Sequence, residues 1–197
     1  GSLGYEINNS GLVNVTVKNC ILIEGTSSGN AKDAILYNNS AANGTIYNNT
    51  ISLVGAGSTG INLASFSNYT NATSNTINTS GSSSPAVVLF NVYHSNLTSN
   101  FVKTYGASAS GVSLRASGNN SLFFNNMTII GLGVGIELAD TEVLGNVLIN
   151  NSIFTGGNST ILDTSGSSTF NQLVYNNSLG LINWTKTNLS TNLNLSV

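Results

Sequence analysis

Charged side chains are the first place to look for chemistry, because only 6% of this 197-residue chain is charged. Arg115, Glu137, Asp140 and Asp163 form the one group in which acids follow a cation at a recurring interval, and Asp140-Thr141 returns as Asp163-Thr164. An acid pair beside a cation could serve glycoside hydrolysis or calcium-assisted cleavage of an acidic polysaccharide. The interpretation that we favour is a solvated patch of ion pairs on the outer surface.

The single His and the single Cys predict neither a metal site nor a nucleophile. His94 has no partner at metal-ligand spacing and no carboxylate close in sequence to orient it, so it is interpreted as a surface turn residue. One Cys cannot form an intramolecular disulfide, and Cys20 is interpreted as a small space-filling residue. We therefore predict no cofactor and no bound metal.

Tyrosines point to binding rather than catalysis. Tyr69, Tyr93 and Tyr105 fall in or beside the turns between short apolar segments, next to asparagines. An exposed tyrosine offers a flat apolar face, and neighbouring amides offer hydrogen bonds, which together suit contact with a sugar. These three are the candidate ligand-binding residues. Burial in the core is the competing interpretation, and it is the one expected for Phe66, Phe90 and Phe124.

The overall composition excludes several classes of protein. A formal net charge of −2 leaves no basic patch for nucleic acid. The chain is 40% hydrophobic, too much for a disordered segment, and no apolar run approaches the roughly 18 residues of a membrane span. Asn, Ser, Thr and Gly separate short runs of Ile, Val and Leu, which is typical of many short strands joined by tight turns.

Two signals recur along the chain about half a period out of phase. The first is an Asn followed two residues later by an aliphatic or β-branched residue, at intervals of 30, 26, 25, 26, 25 and 26 residues. The second is an apolar anchor in an alternating segment, which predicts strands with one buried face. The anchors are Ile35, Ile61, Val87, Val112, Ile136 and Ile161. A strand-only period near 25 fits one turn of a parallel β-helix.

The repeated asparagines have a structural explanation. A turn inside such a coil needs a residue that tolerates left-handed backbone angles, and Asn does so most readily after Gly. Stacked amides can also bond to one another, which satisfies groups whose burial would otherwise cost ~1–3 kcal/mol each. The predicted ladder consists of Asn19, Asn49, Asn75, Asn100, Asn126, Asn151 and Asn177.

Repeats such as Tyr47-Asn48-Asn49-Thr50-Ile51 resemble those of the right-handed parallel β-helices in the pectate-lyase-like superfamily. That superfamily includes polysaccharide lyases and hydrolases, NosD-type periplasmic proteins, and surface proteins and adhesins. The resemblance implies an all-β chain with a single right-handed solenoid of about seven to eight coils over residues 4–180. Residues 1–3 are interpreted as a cloning scar or tail, and residues 181–197 as a terminal coil or cap. The hydrolase motifs of the superfamily and its lyase-type aspartate cluster are missing, which disfavours catalysis.

We therefore predict a non-catalytic extracellular or cell-surface module: an adhesin-like or structural rod that contacts polysaccharide or cell-surface glycan. Frequent Asn-x-Ser/Thr sites would suit a secreted glycoprotein, although an Asn-rich chain also produces them by chance. One alternative is a polysaccharide lyase or glycoside hydrolase that uses Arg115, Glu137, Asp140 and Asp163. Another is a self-assembling fibre subunit, in which open coil ends pair between copies.

Overall fold

A computed structural model shows a solenoid built from strands and turns. It describes residues 5–24, 31–140, 143, 145–156, 159–164, 173–175, 178–179 and 182–184. For Tyr5, Asp163 and the last three of these segments, it describes the backbone alone. The described residues contain no helix.

The strands are short and follow one another at nearly constant intervals. The first nine are β1 (Tyr5–Ser10), β2 (Thr16–Lys18), β3 (Ile21–Ile23), β4 (Asp33–Asn38), β5 (Thr45–Tyr47), β6 (Thr50–Leu53), β7 (Thr59–Ala64), β8 (Asn71–Thr73) and β9 (Thr76–Thr79). The next nine are β10 (Val87–Phe90), β11 (Asn96–Thr98), β12 (Phe101–Thr104), β13 (Val112–Arg115), β14 (Ser121–Phe123), β15 (Asn126–Ile129), β16 (Ile136–Ala139), β17 (Val147–Ile149) and β18 (Ser152–Thr155). The last four are β19 (Ile161–Asp163), β20 (Leu173–Tyr175), β21 (Ser178–Leu179) and β22 (Ile182–Trp184).

Every third strand joins the same sheet, so the chain winds through three parallel sheets. Sheet A runs from β1 through β4, β7, β10, β13, β16 and β19 to β22, sheet B from β2 to β20, and sheet C from β3 to β21. Strands β1 to β18 make six complete turns, slightly fewer than the seven to eight predicted, and the last four strands extend the same sheets. The predicted parallel β-helix is confirmed.

The core is a stack of apolar side chains in register. In sheet A the residues in register are Ile35, Ile61, Val87, Val112, Ile136 and Ile161, so all six predicted anchors form one buried column. Sheet B contributes a second column that includes Ile46, Leu97 and Leu148, and sheet C a third that includes Ile77 and Met127. Burying one such aliphatic side chain stabilises a fold by ~1.5–3 kcal/mol, and each of these columns contributes to holding successive turns together.

A ladder of buried asparagines lies at the corner between sheets B and C, hereafter the B–C corner. The side-chain nitrogen Nδ2 of each donates to Oδ1 of the next, at 2.9–3.0 Å, through Asn49, Asn75, Asn100, Asn125 and Asn151. The same Oδ1 also accepts the backbone N–H of the residue one turn earlier, at 3.0 Å. Each amide therefore bonds to the neighbouring turn twice.

The predicted ladder is wrong at two positions. Asn126 is exposed on β15, and Asn125 takes the buried place, because Asn125 stands two residues before the core residue Met127. Asn19 is also exposed, and Cys20 occupies the ladder position, where its backbone N–H donates to Asn49 Oδ1 at 3.0 Å. The seventh predicted member, Asn177, lies outside the described residues.

Left-handed backbone angles fall on Asn19 as predicted, two residues before Asn126, and in the other four turns one residue earlier than predicted. They belong to the residue that precedes each ladder position: Asn19, Asn48, Ser74, Ser99, Phe124 and Asn150, with φ between 51° and 57°. A left-handed residue turns the chain sharply, and the residue after it then points into the coil. The turning residue and the buried amide are therefore different residues.

The corner between sheets A and B, hereafter the A–B corner, repeats this arrangement. Its left-handed residues are Asn14, Asn43, Tyr69, His94, Asn119 and Gly145. A buried polar residue follows several of them, and these form a shorter chain of bonds from Thr70 N–H to Ser95 Oγ, Ser95 N–H to Asn120 Oδ1, and Asn120 N–H to Asn146 Oδ1, at 2.9–3.0 Å. The sequence analysis missed this second ladder because its members are not all asparagines.

Candidate functional site

A polar groove crosses the outer face of sheet A and holds two of the four predicted chemical residues. The groove has a volume of about 330 Å³, and Ser83, Ser108, Ser110, Ser113, Arg115 and Glu137 contribute to its lining. Glu137 lies in register with Ser113 on the adjacent strand. The Glu137 carboxylate accepts hydrogen bonds from Ser113 Oγ at 2.9 Å and from Ser110 Oγ at 3.4 Å, so serine hydroxyls hold it in place.

The structure does not bring Asp140 into this groove. Asp140 is exposed, with φ of 70°, in the turn that follows β16, where a short polar side chain tolerates left-handed angles. Asp163 pairs with Leu138 rather than with Glu137, and its side chain lies outside the described residues. Within the described residues no salt bridge joins Arg115 to Glu137 or Asp140, and the ion pair found is Lys32 with Glu24 at 3.9 Å.

A second carboxylate on sheet A was missed by the sequence analysis. Asp33 begins β4, is almost fully buried, and accepts a hydrogen bond from Asn62 Nδ2 at 2.8 Å. Burial raises the pKa of Asp33, partly offset by hydrogen bonds from Asn62 and Thr59. Four strand spacings separate β4 from β16, roughly 19 Å, whereas paired glycosidase carboxylates lie within about 10 Å of each other. Asp33 and Glu137 are therefore too far apart to act on one glycosidic bond.

Aromatic rings gather on two successive turns at the A–B corner. The Tyr69 and His94 rings stack with their centroids 5.2 Å apart and their planes 9° from parallel. Tyr93 is half-buried beside them, and its backbone N–H donates to Asn68 Oδ1 at 2.8 Å. Phe66 is 56% exposed, three residues before Tyr69. We call Phe66, Tyr69, Tyr93 and His94 the aromatic corner.

The expectation that the three phenylalanines stack inside the coils is wrong. Phe66, Phe90 and Phe124 are 56%, 42% and 59% exposed. Phe66 and Phe124 occupy left-handed turn positions, with φ of 65° and 54°. Phe90 is in register with the exposed Arg115, so it belongs to an outward-facing column. Position in the turn for Phe66 and Phe124, and the outward face of the strand for Phe90, decide their exposure.

Tyr105 lies apart from the other two predicted tyrosines. It follows β12 on the far side of sheet A from the aromatic corner, is 45% exposed, and carries Lys103 Nζ at 5.0 Å from its ring centroid. Its ring forms one wall of a groove of about 250 Å³. The three predicted ligand-binding tyrosines therefore form two separate surfaces.

The described residues contain neither a metal-binding cluster nor a membrane-spanning helix. No group of three or more His, Cys, Asp or Glu side chains in the described ranges could hold a metal ion. No helix long and apolar enough to cross a membrane occurs there. Cys20 is half-buried, with its Sγ 3.4 Å from the Lys18 carbonyl oxygen.

Comparisons with known proteins identify the fold. No family model matches the chain, and no curated protein sequence does. Among solved structures, the A-module of the mannuronan C-5 epimerase AlgE4 of Azotobacter vinelandii is similar, with a TM-score of 0.58 and 12% sequence identity over 91% of this chain. The chain has the pectate-lyase-like parallel β-helix fold. The β-helix spans 58% of the length of that module. At this low sequence identity, the similarity shows the fold alone.

Proposed function

We propose that this β-helix is a non-catalytic, extracellular or cell-surface rod that binds carbohydrate through the aromatic corner. The observation that carries the proposal is the stacked Tyr69–His94 pair, exposed on the outside of a turn. Other turns place Asn14, Asn43, Asn119 or Gly145 at this position. Tyr69 and His94 therefore interrupt the column of Asn and Gly residues that occupy the left-handed position at the A–B corner.

Backbone conformation makes this interruption informative. Left-handed angles cost an ordinary residue roughly 1–2 kcal/mol, and Asn or Gly much less. Tyr69 is 54% exposed, so burial of its ring does not fully offset that cost. Phe124 adopts the same left-handed backbone angles at the B–C corner, so the feature that distinguishes Tyr69 is its stacking on His94. Binding of a ligand is the gain that we infer.

The chemistry of the corner suits a sugar. Stacked rings present a flat apolar face, and the Asn43 and Asn91 side chains supply amide groups on the adjacent turns. The similar solved structure is an epimerase named for mannuronan, a polysaccharide, which supports a carbohydrate ligand for a chain of the same fold. Because the aromatic corner contains no Asp, Glu, Lys or Arg, we expect its binding to vary little with salt.

A glycan-array and polysaccharide screen tests the proposal, with binding and released products measured together. Tyr69→Asn should keep the backbone angle but remove the ring, and we expect affinity to fall about tenfold. Phe124→Asn is the matched control, because Phe124 is equally exposed and left-handed but lies at the B–C corner. Equal binding by the wild type and Tyr69→Asn would contradict the proposal.

A polysaccharide-active enzyme is the second candidate, and the sheet A groove favours it. Glu137, fixed by two serine hydroxyls, could accept a proton from a sugar while Arg115 in the same groove stabilises negative charge. If the screen detects product, and Glu137→Gln abolishes its formation, this candidate is established. Asp140→Asn is the control, because Asp140 lies outside the groove lining, and it should leave turnover unchanged.

Self-association through the coil ends is a third candidate. The first turn exposes Leu12, Val13, Ile21 and Ile23, each by more than half. Exposed apolar residues on the first described turn can pair with another copy. Light scattering at increasing concentration would show growing particles under this proposal and a constant monomer mass if it is wrong.

A further inference from the structure

We propose that sheet C carries a second carbohydrate site, built around Tyr105, which takes one neutral hexose ring of a polysaccharide. The site is separate from the aromatic corner and from the sheet A groove. The choice of a sugar as ligand rests on the proposed function. Occupancy of this site does not require the aromatic corner to bind.

The groove is assembled from three successive turns. Ser52 on β6 and Asn78 on β9 are in register and form its floor, Ser80 lies at its edge, and Tyr105 closes one end. Neighbouring strands lie about 4.8 Å apart, so the floor and the Tyr105 wall extend over roughly 10 Å. This length accommodates a single sugar ring lying between the aromatic wall and the floor.

The polar groups of this groove are available to a ligand. Within the described part of the chain, the Ser52 hydroxyl, the Asn78 amide and the Tyr105 phenol make no side-chain hydrogen bond, and Ser80 Oγ donates to the Leu53 carbonyl oxygen at a long 3.3 Å. In the sheet A groove, by contrast, Ser113 already donates to Glu137. Three unused donors and acceptors beside an aromatic wall match the hydroxyls and apolar face of a hexose.

The uncharged lining of the groove in the described residues favours a neutral ligand. Among the described residues, neither a carboxylate nor a cation contributes to its lining. Two charged residues lie close to it: the Glu24 carboxylate accepts hydrogen bonds from the Val54 and Gly55 backbone N–H groups, and Lys103 Nζ lies 5.0 Å from the Tyr105 ring centroid. A cation over the ring helps to fix the ring's orientation, which leaves the rest of its surface as a preformed wall. Binding then depends on stacking and hydrogen bonds rather than on ion pairing.

The position of the groove implies two binding events on one rod. Each turn runs from sheet C through sheet A before it reaches the A–B corner. A four-residue strand of sheet A is roughly 13 Å long, so the two surfaces are at least that far apart. We therefore expect two independent sites for a short oligosaccharide. A long polysaccharide, or two strands of it, could engage both and gain affinity through multivalency.

Calorimetry and side-chain amide NMR with neutral tetrasaccharides of glucose, mannose, galactose and N-acetylglucosamine test this inference. A mannuronate tetrasaccharide serves as the acidic comparison. Tyr105→Ala and Asn78→Ala should each weaken the sheet C site by about tenfold. Both should leave the aromatic corner unchanged. Ile130→Ala is the control for Tyr105→Ala, because Ile130 occupies the same turn position one turn later. Thr128→Ala is the control for Asn78→Ala, because Thr128 lies two turns along the same column of sheet C. Neither control should alter binding.

The outcomes separate the two proposals. Loss of one site in Tyr105→Ala, with the other lost in Tyr69→Asn, supports both. Loss in Tyr105→Ala alone supports the sheet C site and contradicts the aromatic corner. Loss in Tyr69→Asn alone overturns the sheet C site and leaves the aromatic corner standing. Absence of any shift of the Asn78 amide with the neutral sugars at millimolar concentration, or a shift with mannuronate only, also overturns the sheet C proposal.

Discussion

The two corners of each turn share a backbone geometry but differ in what their side chains do. At both, a left-handed residue is followed by a buried polar residue that accepts a backbone N–H from the previous turn. At the B–C corner the buried residue is asparagine in five successive turns. At the A–B corner it changes from Thr70 to Ser95 to Asn120, and the exposed turning residue becomes aromatic.

Under the proposed function, this difference separates structure from recognition within one repeat. The inward position needs only an oxygen at the right place to receive the N–H, and hydroxyl and amide oxygens both provide one. Asparagine adds a donor and links each turn to the turns on both sides, so the B–C corner is the stronger of the two. The A–B corner depends less on side-chain bonds, which leaves its exposed residues free to vary.

Breaking the asparagine ladder should have the largest effect. Asn100 Nδ2 donates to the Ala72 carbonyl and to Asn125 Oδ1, while Asn100 Oδ1 accepts from the backbone and the side chain of Asn75. Asn100→Ala leaves several buried groups unpaired, at ~1–3 kcal/mol each, so we expect the free energy of unfolding in urea to fall by about 3 kcal/mol or more. Asn126→Ala, on the exposed face, should change it by less than about 0.5 kcal/mol.

The corresponding change at the A–B corner should be smaller. Ser95→Ala removes one hydroxyl acceptor from the Thr70 N–H and should lower the free energy of unfolding by about 1–3 kcal/mol. A loss equal to that of Asn100→Ala would show that the two corners are equally strong. Urea unfolding of both variants under the same conditions gives the comparison.

Exchange of the turning residues should sharpen the comparison further. Tyr69→Asn places the residue found in other turns at a left-handed position, so we expect the free energy of unfolding to rise by about 1 kcal/mol while sugar binding weakens. The reverse change, Asn43→Tyr, should lower it by a similar amount. A loss of stability in Tyr69→Asn would mean that ring packing, not binding, explains the tyrosine.

We expect the smallest effect at Asp33, a buried carboxyl that belongs to neither ladder. Since burial raises the pKa of Asp33 above its ordinary 3.8, the folded chain binds its proton more tightly than the unfolded chain. Stability from this group is complete below pH 3.8 and falls as pH rises through the raised folded-state pKa.

Asp33→Asn should remove that dependence. The variant should be more stable than the wild type at neutral pH and equal to it in acid, as measured by thermal unfolding across the pH range. The amide oxygen can still accept the hydrogen bond from Asn62. Parallel pH profiles for the two proteins would contradict the assignment.

The fold was predictable because buried faces impose their period on the sequence. Anchors such as Ile35 and Ile61 recur wherever a strand returns to the core, so their spacing reveals the turn length directly. The ladder was misplaced by one residue where Asn125 and Asn126 stand together, because residue type alone does not say which one faces inward. Cys20 escaped detection for the opposite reason: a different residue fills an asparagine position.

The surfaces were less predictable than the core. Phe66 and Phe124 are apolar by type, yet the turn geometry places both outside. The groove beside Tyr105 arises from Ser52 and Asn78 on separate turns, and their alignment depends on the exact length of each intervening turn. The sequence placed Tyr69, Tyr93 and Tyr105 together as one set, whereas the path of the coil divides them between two faces.

The direction of the ladder bonds has a mechanical consequence. The bonds between turns run along the rod, and β1 and β22 lie at opposite edges of sheet A, so tension between the two ends pulls turns apart in series. Each turn that yields releases about 25 residues, roughly 85 Å of extended chain, in place of about 4.8 Å of rod. Under load we therefore expect the rod to lengthen stepwise, with the force on the remaining turns limited until the last turn opens.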